Sequence, residues 1–562
     1  EFKAAQLPFG GILYTNDNNQ YSYNIQNKLQ FSKAFNPDNR LNALLGMELR
    51  SSTAKGTANK VWGYVPDRGE RIVAPTIPSE VITPNNPPTG WGILGDIYSR
   101  GWQRTDNTNN FLSFFATFAY SFKNRYVVNA NVRNDASNVF GQDINHRIDP
   151  TYSFGLSWRA SEEAFFQKHL KWITTLNFRG TFGIQGNALT RESPELILSQ
   201  QGVQPGYNRY FSTIGQIPNP YLSWERTRNW NFGVDLELFR MFYMNLEYYT
   251  RRSNAVITVD LPFEYGIDDM KRNGGIIYNR GIEYTLSFTP IQKRDFSLNI
   301  NLNASKNWNK GGETKIDRNT AMYLRGGSTQ ILKEGYPLSA FWSYSFAGLD
   351  GSNGKPMFNY VEVPDEEKSK SIDPTTYLVY SGETEPYFTG GLGFSFRYKS
   401  LSLNTSFSLL LGSKKRLPSP YSDFQGSGSM MPDPTKNVNR DLLNRWQKPG
   451  DEVYTNIPGL PTWPIEIGWT LPNTDSAESA IEMWEKSDAM VVSGSFLRCR
   501  NIGLSWQMKK EWCDKIHAKN LAINFNMDNI FVIASKRFNG FDPELENSIM
   551  PRSFSLGLNI GF

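Results

Sequence analysis

The sequence predicts an all-β fold, a transmembrane antiparallel β-barrel, and three observations carry that reading. Apolar and polar residues alternate with a period of two over segments of roughly 9 to 15 residues, the length a tilted strand needs to cross a bilayer. The connections between these segments switch between very short and very long, as in outer-membrane barrels. The chain's last residues keep the same alternation and stop on an aromatic side chain, Phe562.

Composition removes the main competitors. Over 562 residues, 39% are hydrophobic, 20% charged and 14% aromatic, with 52 Asn and a mean hydropathy of −0.49. A disordered tail needs few aromatics and high net charge, and a coiled coil needs Ala, Glu, Lys and Leu at heptad spacing. A net charge of +5 is thin for this length, and no basic run with interleaved aromatics tracks a phosphate backbone, so no nucleic acid is expected as a partner. No stretch approaches ~18 consecutive apolar residues, which excludes spanning helices but not strands that are half apolar. Cys499 and Cys513 are too few for a disulfide framework or a four-ligand zinc site, and His146, His169 and His517 lie far apart. No metal, cofactor or catalytic residue is expected, and the chain reads as a non-enzyme.

In chain order the alternation gives about 17 strands, at 21–32, 39–51, 110–122, 126–136, 151–159, 172–186, 226–239, 242–256, 277–289, 295–307, 338–349, 355–362, 387–398, 400–411, 493–507, 518–532 and 550–562. In 110–122, Leu112, Phe114, Ala116, Phe118, Tyr120 and Phe122 alternate with Ser113, Thr117, Ala119 and Ser121. In 295–307, Phe296, Leu298, Ile300 and Leu302 oppose a ladder of Ser297, Asn299, Asn301 and Asn303. Lys123 to Arg125, Pro290 to Arg294 and Lys399 to Leu401 are tight turns, whereas about 53–109, 187–224 and 413–492 are long loops. Helix is expected only at Ser476 to Lys486 and Lys510 to His517.

Phe554, Leu556, Leu558, Ile560 and Phe562 alternate with Ser555, Gly557, Asn559 and Gly561, a pattern that resembles the terminal strand read by the bacterial outer-membrane insertion machinery. The long loops carry aromatics that suit sugar rings or peptide side chains: Trp91, Tyr98, Trp102, Tyr207, Tyr210, Phe211, Tyr421 and Phe424. Trp91, Trp102, Tyr207, Tyr210, Tyr421 and Phe424 are the ligand-contact candidates, with packing of loop against loop as the competing role. Asp350-Gly351-Ser352-Asn353-Gly354-Lys355-Pro356 lacks the alternating carboxylates and final Glu of a calcium loop, so a tight turn is expected there. Arg498 and Arg500 fall on the apolar face of their segment and Cys499 on the polar face. Contact with lipopolysaccharide phosphates at the rim is one explanation, and a β-bulge is the other.

Several segments together resemble the barrel of one family. They are Asn177 to Asn187 (NFRGTFGIQGN), Asn219 to Glu225 (NPYLSWE), Asn279 to Tyr284 (NRGIEY), Glu334 to Leu338 (EGYPL), Phe346 to Asp350 (FAGLD), Arg445 to Asp451 (RWQKPGD), Gly494 to Arg498 (GSFLR) and Pro551 to Phe554 (PRSF). In this order they are similar to the starch-utilisation-system C type (SusC/RagA-like) of TonB-dependent outer-membrane transporter of Bacteroidetes, along nearly the whole chain. The resemblance implies a 22-stranded barrel integral to the outer membrane, an N-terminal plug, a SusD-like surface lipoprotein as lid, and drive from the TonB complex. It further implies a glycan or peptide substrate and pairing of transporter-lid units into a dimer. Residues 1–562 would then be the C-terminal portion of the barrel domain, since no plug and no TonB-contacting box is found in them. A passive porin or surface adhesin barrel is the alternative, and a soluble carbohydrate-active β-propeller or sandwich a second one. With about 17 strands ending in the periplasm, parity makes residues 1–20 extracellular. A preceding plug and about five strands are therefore expected.

Overall fold

The computed structural model describes residues 11–72, 102–138, 148–187, 195–204, 209–267, 269–312, 321–325, 332–359, 374–421, 437–460, 480–545 and 548–562. Its contacts divide the chain into two compact units, one of residues 1–155, 182–228 and 254–274, the other of residues 156–181, 229–253 and 275–562.

One sheet dominates, and its strands hydrogen-bond in chain order. Its path runs through Gly11–Asn36, Asn39–Val65, Trp102–Phe122, Tyr126–Ser137, Ile148–Arg159, Ile173–Asn187, Glu225–Leu238, Phe242–Asp260, Asp269–Gln292, Phe296–Gly311, Phe388–Tyr398, Leu401–Leu411, Phe496–Gln507, Asn520–Ala534 and Ser553–Gly561. The short strand Arg71–Ile72 pairs beside the second of these. Pairing is antiparallel, as between Phe296–Gly311 and both of its neighbours. Each strand of the path overlaps an expected segment, whereas Arg71–Ile72 falls in the expected loop 53–109. Helix is confined to short pieces, among them Ala480–Glu485 and Lys510–Lys515, where it was expected, and Ala164–His169, where it was not.

The short turns have a physical basis. Lys123 and Asn124 have φ of 52° and 54°, and Phe239 and Arg240 have 54° and 59°. Consecutive left-handed residues give a two-residue turn whose twist matches the flanking strands.

Two expected strands lie off the main sheet. Segment 338–349 splits into Ala340–Tyr344, which pairs with Leu378–Glu383, and Phe346–Leu349, which pairs with Pro356–Phe358 in segment 355–362. All five residues of Ala340–Tyr344 are buried. A strand covered on both faces belongs to a folded core, not to a sheet with one face toward lipid. The first long loop is also shorter than expected. Gly11–Asn36 and Asn39–Val65 stay in register as far as Ile12↔Trp62, because Asn, Thr and Lys side chains continue the ladder where apolar alternation has ceased.

The two faces are chemically distinct. In the first unit Phe114 and Phe118 are exposed on one face, while Ser113 on the other is buried against Asp135. In the second unit Asn299 donates to Ser287 and Thr289 on the polar face, and Ile300 and Leu302 alternate to the apolar one. Tyr249 lies across Gly281 on the polar face and donates to Asn307 at 3.2 Å. A Cβ at Gly281 would sit 2.4 Å from the Tyr249 ring, so only glycine admits that crossing.

A bulge reverses the phase of one strand. Ser406 pairs with Asn501 but Phe407 with Cys499, so Arg500 is an extra residue. A one-residue slip moves every later side chain to the opposite face. Cys499 therefore joins Phe407 and Phe531 on the apolar face, fully buried. Arg498 turns to the polar face beside Ser408, where it is 2% exposed. The bulge is the correct explanation for the broken alternation, and Arg498 is withdrawn from lipid.

Candidate functional site

The polar face carries charge in closed sets. In the first unit Arg133 reaches Glu48 at 2.9 Å and Asp135 at 2.8 Å, and donates to Ser113. In the second unit Arg179 bridges Glu247 at 2.9 Å and Asp235 at 3.2 Å, while Asn231 and Asn245 donate to the same carboxylates. Asp528 accepts from Asn501 and Ser553 across three strands. A polar face built this way faces water or another polar surface, as the interior of a membrane barrel does.

The second unit also contains a folded lobe made from loops. Its core is Leu324, Ala340, Trp342, Tyr344, Phe358, Leu378, Tyr421, Leu442, Met483, Trp484 and Met490. These residues come from two long connections, after Phe296–Gly311 and after Leu401–Leu411. Arg416 stitches the segments, donating to the carbonyls of Arg325 and Trp342 at 3.2 Å and to Ser343 Oγ at 3.0 Å. Burial, reinforced by Arg325, lowers its pKa to about 10, so it stays cationic at neutral pH. The third connection joins through Arg537, which donates to the carbonyls of Val491 and Ala489, and through Asn539, which donates to Asp441 at 2.7 Å.

Two of the sequence motifs prove to be turns of this lobe. Asp350 accepts from Ser352 and Asn353, which holds its carboxyl below the usual range, and Gly354 returns its N–H to the Asp350 carbonyl at 2.7 Å. Gly354 has φ of 72° and lies under the Trp446 ring, where a Cβ would come within 2.3 Å. In RWQKPGD, Asp451 accepts from the N–H groups of Gln447 and Lys448, and Glu452 accepts from Gly450 and from Trp446 Nε1. The calcium-like loop is thus a tight turn whose glycine seats the tryptophan of the second motif. In the first unit NPYLSWE is likewise structural. Leu222 and Trp224 are buried, Ser223 and Asn273 exchange hydrogen bonds, and Glu225 accepts from Val256 N–H and Asn187.

Of the ligand-contact candidates, Trp102 and Tyr421 have described side chains. Trp91, Tyr98, Tyr207 and Phe424 lie outside the described residues, as does the side chain of Tyr210. Trp102 is 58% exposed in the first unit but shares the face of Phe114 and Phe118, in a ladder with no register shift, so it points away from the polar face. Tyr421 is 3% exposed in the lobe core, its hydroxyl donating to the Pro458 carbonyl, with burial pushing its pKa up. It packs in the lobe core, the competing role for a loop aromatic. Sequence reasoning missed an aromatic triad in the lobe, Tyr336, Trp342 and Tyr380, with ring centroids 4.8 to 5.4 Å apart. Tyr380 is 44% exposed, and Glu383, its pKa raised by burial and by Glu385, belongs to the same strand. Residues 378–383 lack a period-two apolar pattern, so nothing in the sequence flagged them.

At the C-terminus Phe554, Leu556, Leu558 and Ile560 form one exposed face of Ser553–Gly561, which pairs with Asn520–Ala534, and Phe562 follows it, also exposed.

Long antiparallel strands with one apolar face, a charged and amide-rich opposite face, and a loop lobe at the long-connection end define an outer-membrane β-barrel. The chain belongs to the TonB-dependent receptor-like β-barrel family, whose model matches residues 4–409, and such proteins are integral to the outer membrane. It is 24% identical to TonB-dependent receptor P26 of Formosa agariphila, over 98% of this chain and 54% of that protein. It is 25% identical to TonB-dependent receptor SusC of Bacteroides thetaiotaomicron, over 81% and 44%. Among solved structures, that of the RagAB peptide transporter matches with a TM-score of 0.73 at 20% identity, over 98% of this chain and 56% of that one. These relatives bear out the resemblance to the SusC/RagA-like type. The chain spans about half the length of the curated relatives it matches.

Proposed function

We propose that this chain is the greater part of the channel of a TonB-dependent importer of oligomeric nutrients, glycan or peptide, that works with a SusD-like lipoprotein lid and catalyses no covalent chemistry. The observation that carries the reading is the folded loop lobe. Loops with their own hydrophobic core present a fixed surface, and a fixed surface suits docking of a lid better than loops ordered only on contact. From it Leu443, Val453 and Tyr454 stand 70%, 77% and 89% exposed, the kind of apolar and aromatic side chains that anchor interfaces. Energy coupling through a TonB-contacting segment, and pairing of transporter-lid units into a dimer, belong to the same proposal.

The test is affinity purification of the receptor from outer membranes in detergent, followed by uptake assays. Recovery of a lipoprotein of the lid type, and uptake that stops when TonB is removed, are the expected results. Uptake unaffected by loss of both TonB and the lipoprotein would make the chain a passive barrel.

A further inference from the structure

On the polar face Arg133, Arg179 and Arg498 each meet two carboxylates. The apolar face has a place where this is not so. On Asp269–Gln292 and Phe296–Gly311, Tyr278 lies opposite Lys310, Arg280 opposite Trp308, and Ile282 opposite Lys306. Directly opposed residues project from the same face about 5 Å apart. Arg280, Lys306, Trp308 and Lys310 are exposed, and none of the three cations has a carboxylate partner among the described residues. Lys306 Nζ lies 4.9 Å from the Trp308 ring and 5.5 Å from that of Tyr387. Alternation with Leu246 and Tyr248 puts Arg252, also without a carboxylate partner among the described residues, on the same face of the neighbouring strand Phe242–Asp260.

The height of this cluster is fixed by the strand itself. On the apolar face Phe296, Leu298, Ile300, Leu302 and Ala304 precede Lys306. Nine residues at ~3.3 Å each, tilted as barrel strands are, fill the apolar band of about 25 Å. The end near Phe296 is joined by the short turn at Lys293 to Asp295, so the cations stand at the long-connection end, which faces outside. They therefore meet the headgroups of the outer leaflet.

We propose that Arg280, Lys306 and Lys310, flanked by Arg252 and by the rings of Tyr278, Trp308 and Tyr387, form a binding site for a phosphorylated sugar headgroup of an outer-leaflet glycolipid, lipid A. The cations pair with its phosphates through charge-assisted hydrogen bonds, and the rings cover its sugar. Cations at this depth, on a lipid-facing surface and without internal partners, take their counter-charge from the leaflet. The proposal rests on the outer-membrane placement but not on transport, because its readout is bound lipid and is independent of uptake.

The experiment extracts the intact receptor from outer membranes in mild detergent and counts retained lipid A by native mass spectrometry. The triple variant R280Q/K306Q/K310Q should retain at least roughly tenfold less lipid than wild type. Lys33→Gln is the matched control. Lys33 lies over the Phe35 ring at 5.3 Å on the apolar face of Gly11–Asn36, at the short-turn end, so its loss should change nothing. Add-back to delipidated wild type should favour lipid A over its phosphate-free form, and millimolar inorganic phosphate should not displace it. Thermal unfolding in detergent confirms that the variants are folded. Unchanged retention in the folded triple variant, equal binding of phosphate-free lipid A, or displacement by free phosphate would overturn the proposal.

Discussion

Arg498 holds both carboxylate oxygens of Asp542, at 2.7 and 2.8 Å, and neither side chain is more than 5% exposed. The pair joins the strand Phe496–Gln507 to the connection that precedes the C-terminal strand. Glu544 adds a second carboxylate at 2.8 Å and also reaches Arg500.

Removing one partner of such a pair leaves an unpaired buried charge. Arg498→Ala should cost about 3 to 5 kcal/mol and free residues 535–545 for proteolysis. Lys at this position should rescue poorly because it cannot form the two-pronged contact. The check is thermal unfolding in detergent combined with mapping of the cleavage sites. A loss below about 1 kcal/mol, the range of exposed pairs, would refute the role given to the pair.

The two faces should respond differently to charge. Phe118→Arg or Leu286→Arg should cost about 2 to 4 kcal/mol near the bilayer midplane, whereas Asn301→Arg on the polar face should be far milder. Folding titrations into lipid vesicles measure both. Equal losses from the two faces would show that the faces are misassigned.

The lobe should loosen as pH rises. Burial raises the pKa of Glu485, with Glu482 adding to the shift, against the opposing effects of the Ser419 hydroxyl and Lys486. A carboxyl whose pKa is higher folded than unfolded contributes its stability in the protonated form. That contribution is complete below the unfolded value, about 4.5, and is lost as pH climbs through the higher folded value. Glu485→Gln, which keeps an acceptor for Ser419, should remove this part of the pH dependence and protect the lobe at neutral pH. Hydrogen exchange over 437–460 and 480–495 between pH 4 and 8 provides the measurement. An unaltered pH profile in the variant would contradict the assignment.

How much of this was legible in the sequence depends on how many faces of a segment are buried. Phe296–Gly311 announced itself because Ile300 and Leu302 alternate with Asn299 and Asn301, and the register with both neighbours follows that pattern. Ala340–Tyr344 misled because both of its faces are packed, so alternation carried no information about its sheet. Arg498 and Cys499 were placed on the wrong faces because a single inserted residue, Arg500, inverts the phase without leaving a mark in composition. The packing of Tyr421 was not legible, because a loop aromatic reads the same whether it meets a substrate or Trp484, whose ring it approaches at 6.0 Å. Core residues of a lobe drawn from separate loops share no local period, and only the fold brings them together.

The composition of that lobe also sets when it can form. Leu324 and Trp342 are separated along the chain from Met483, Trp484 and Met490 by the strands Phe388–Tyr398 and Leu401–Leu411, which pair with each other. Contacts so distant along the chain carry a loop-closure cost that local structure does not repay in advance. The lobe should therefore be a late product of assembly, and a receptor whose strands have not zipped together should expose its loops without their shared core. Acquisition of protease resistance by the lobe would time the completion of the neighbouring wall from outside the cell, without any probe in the membrane.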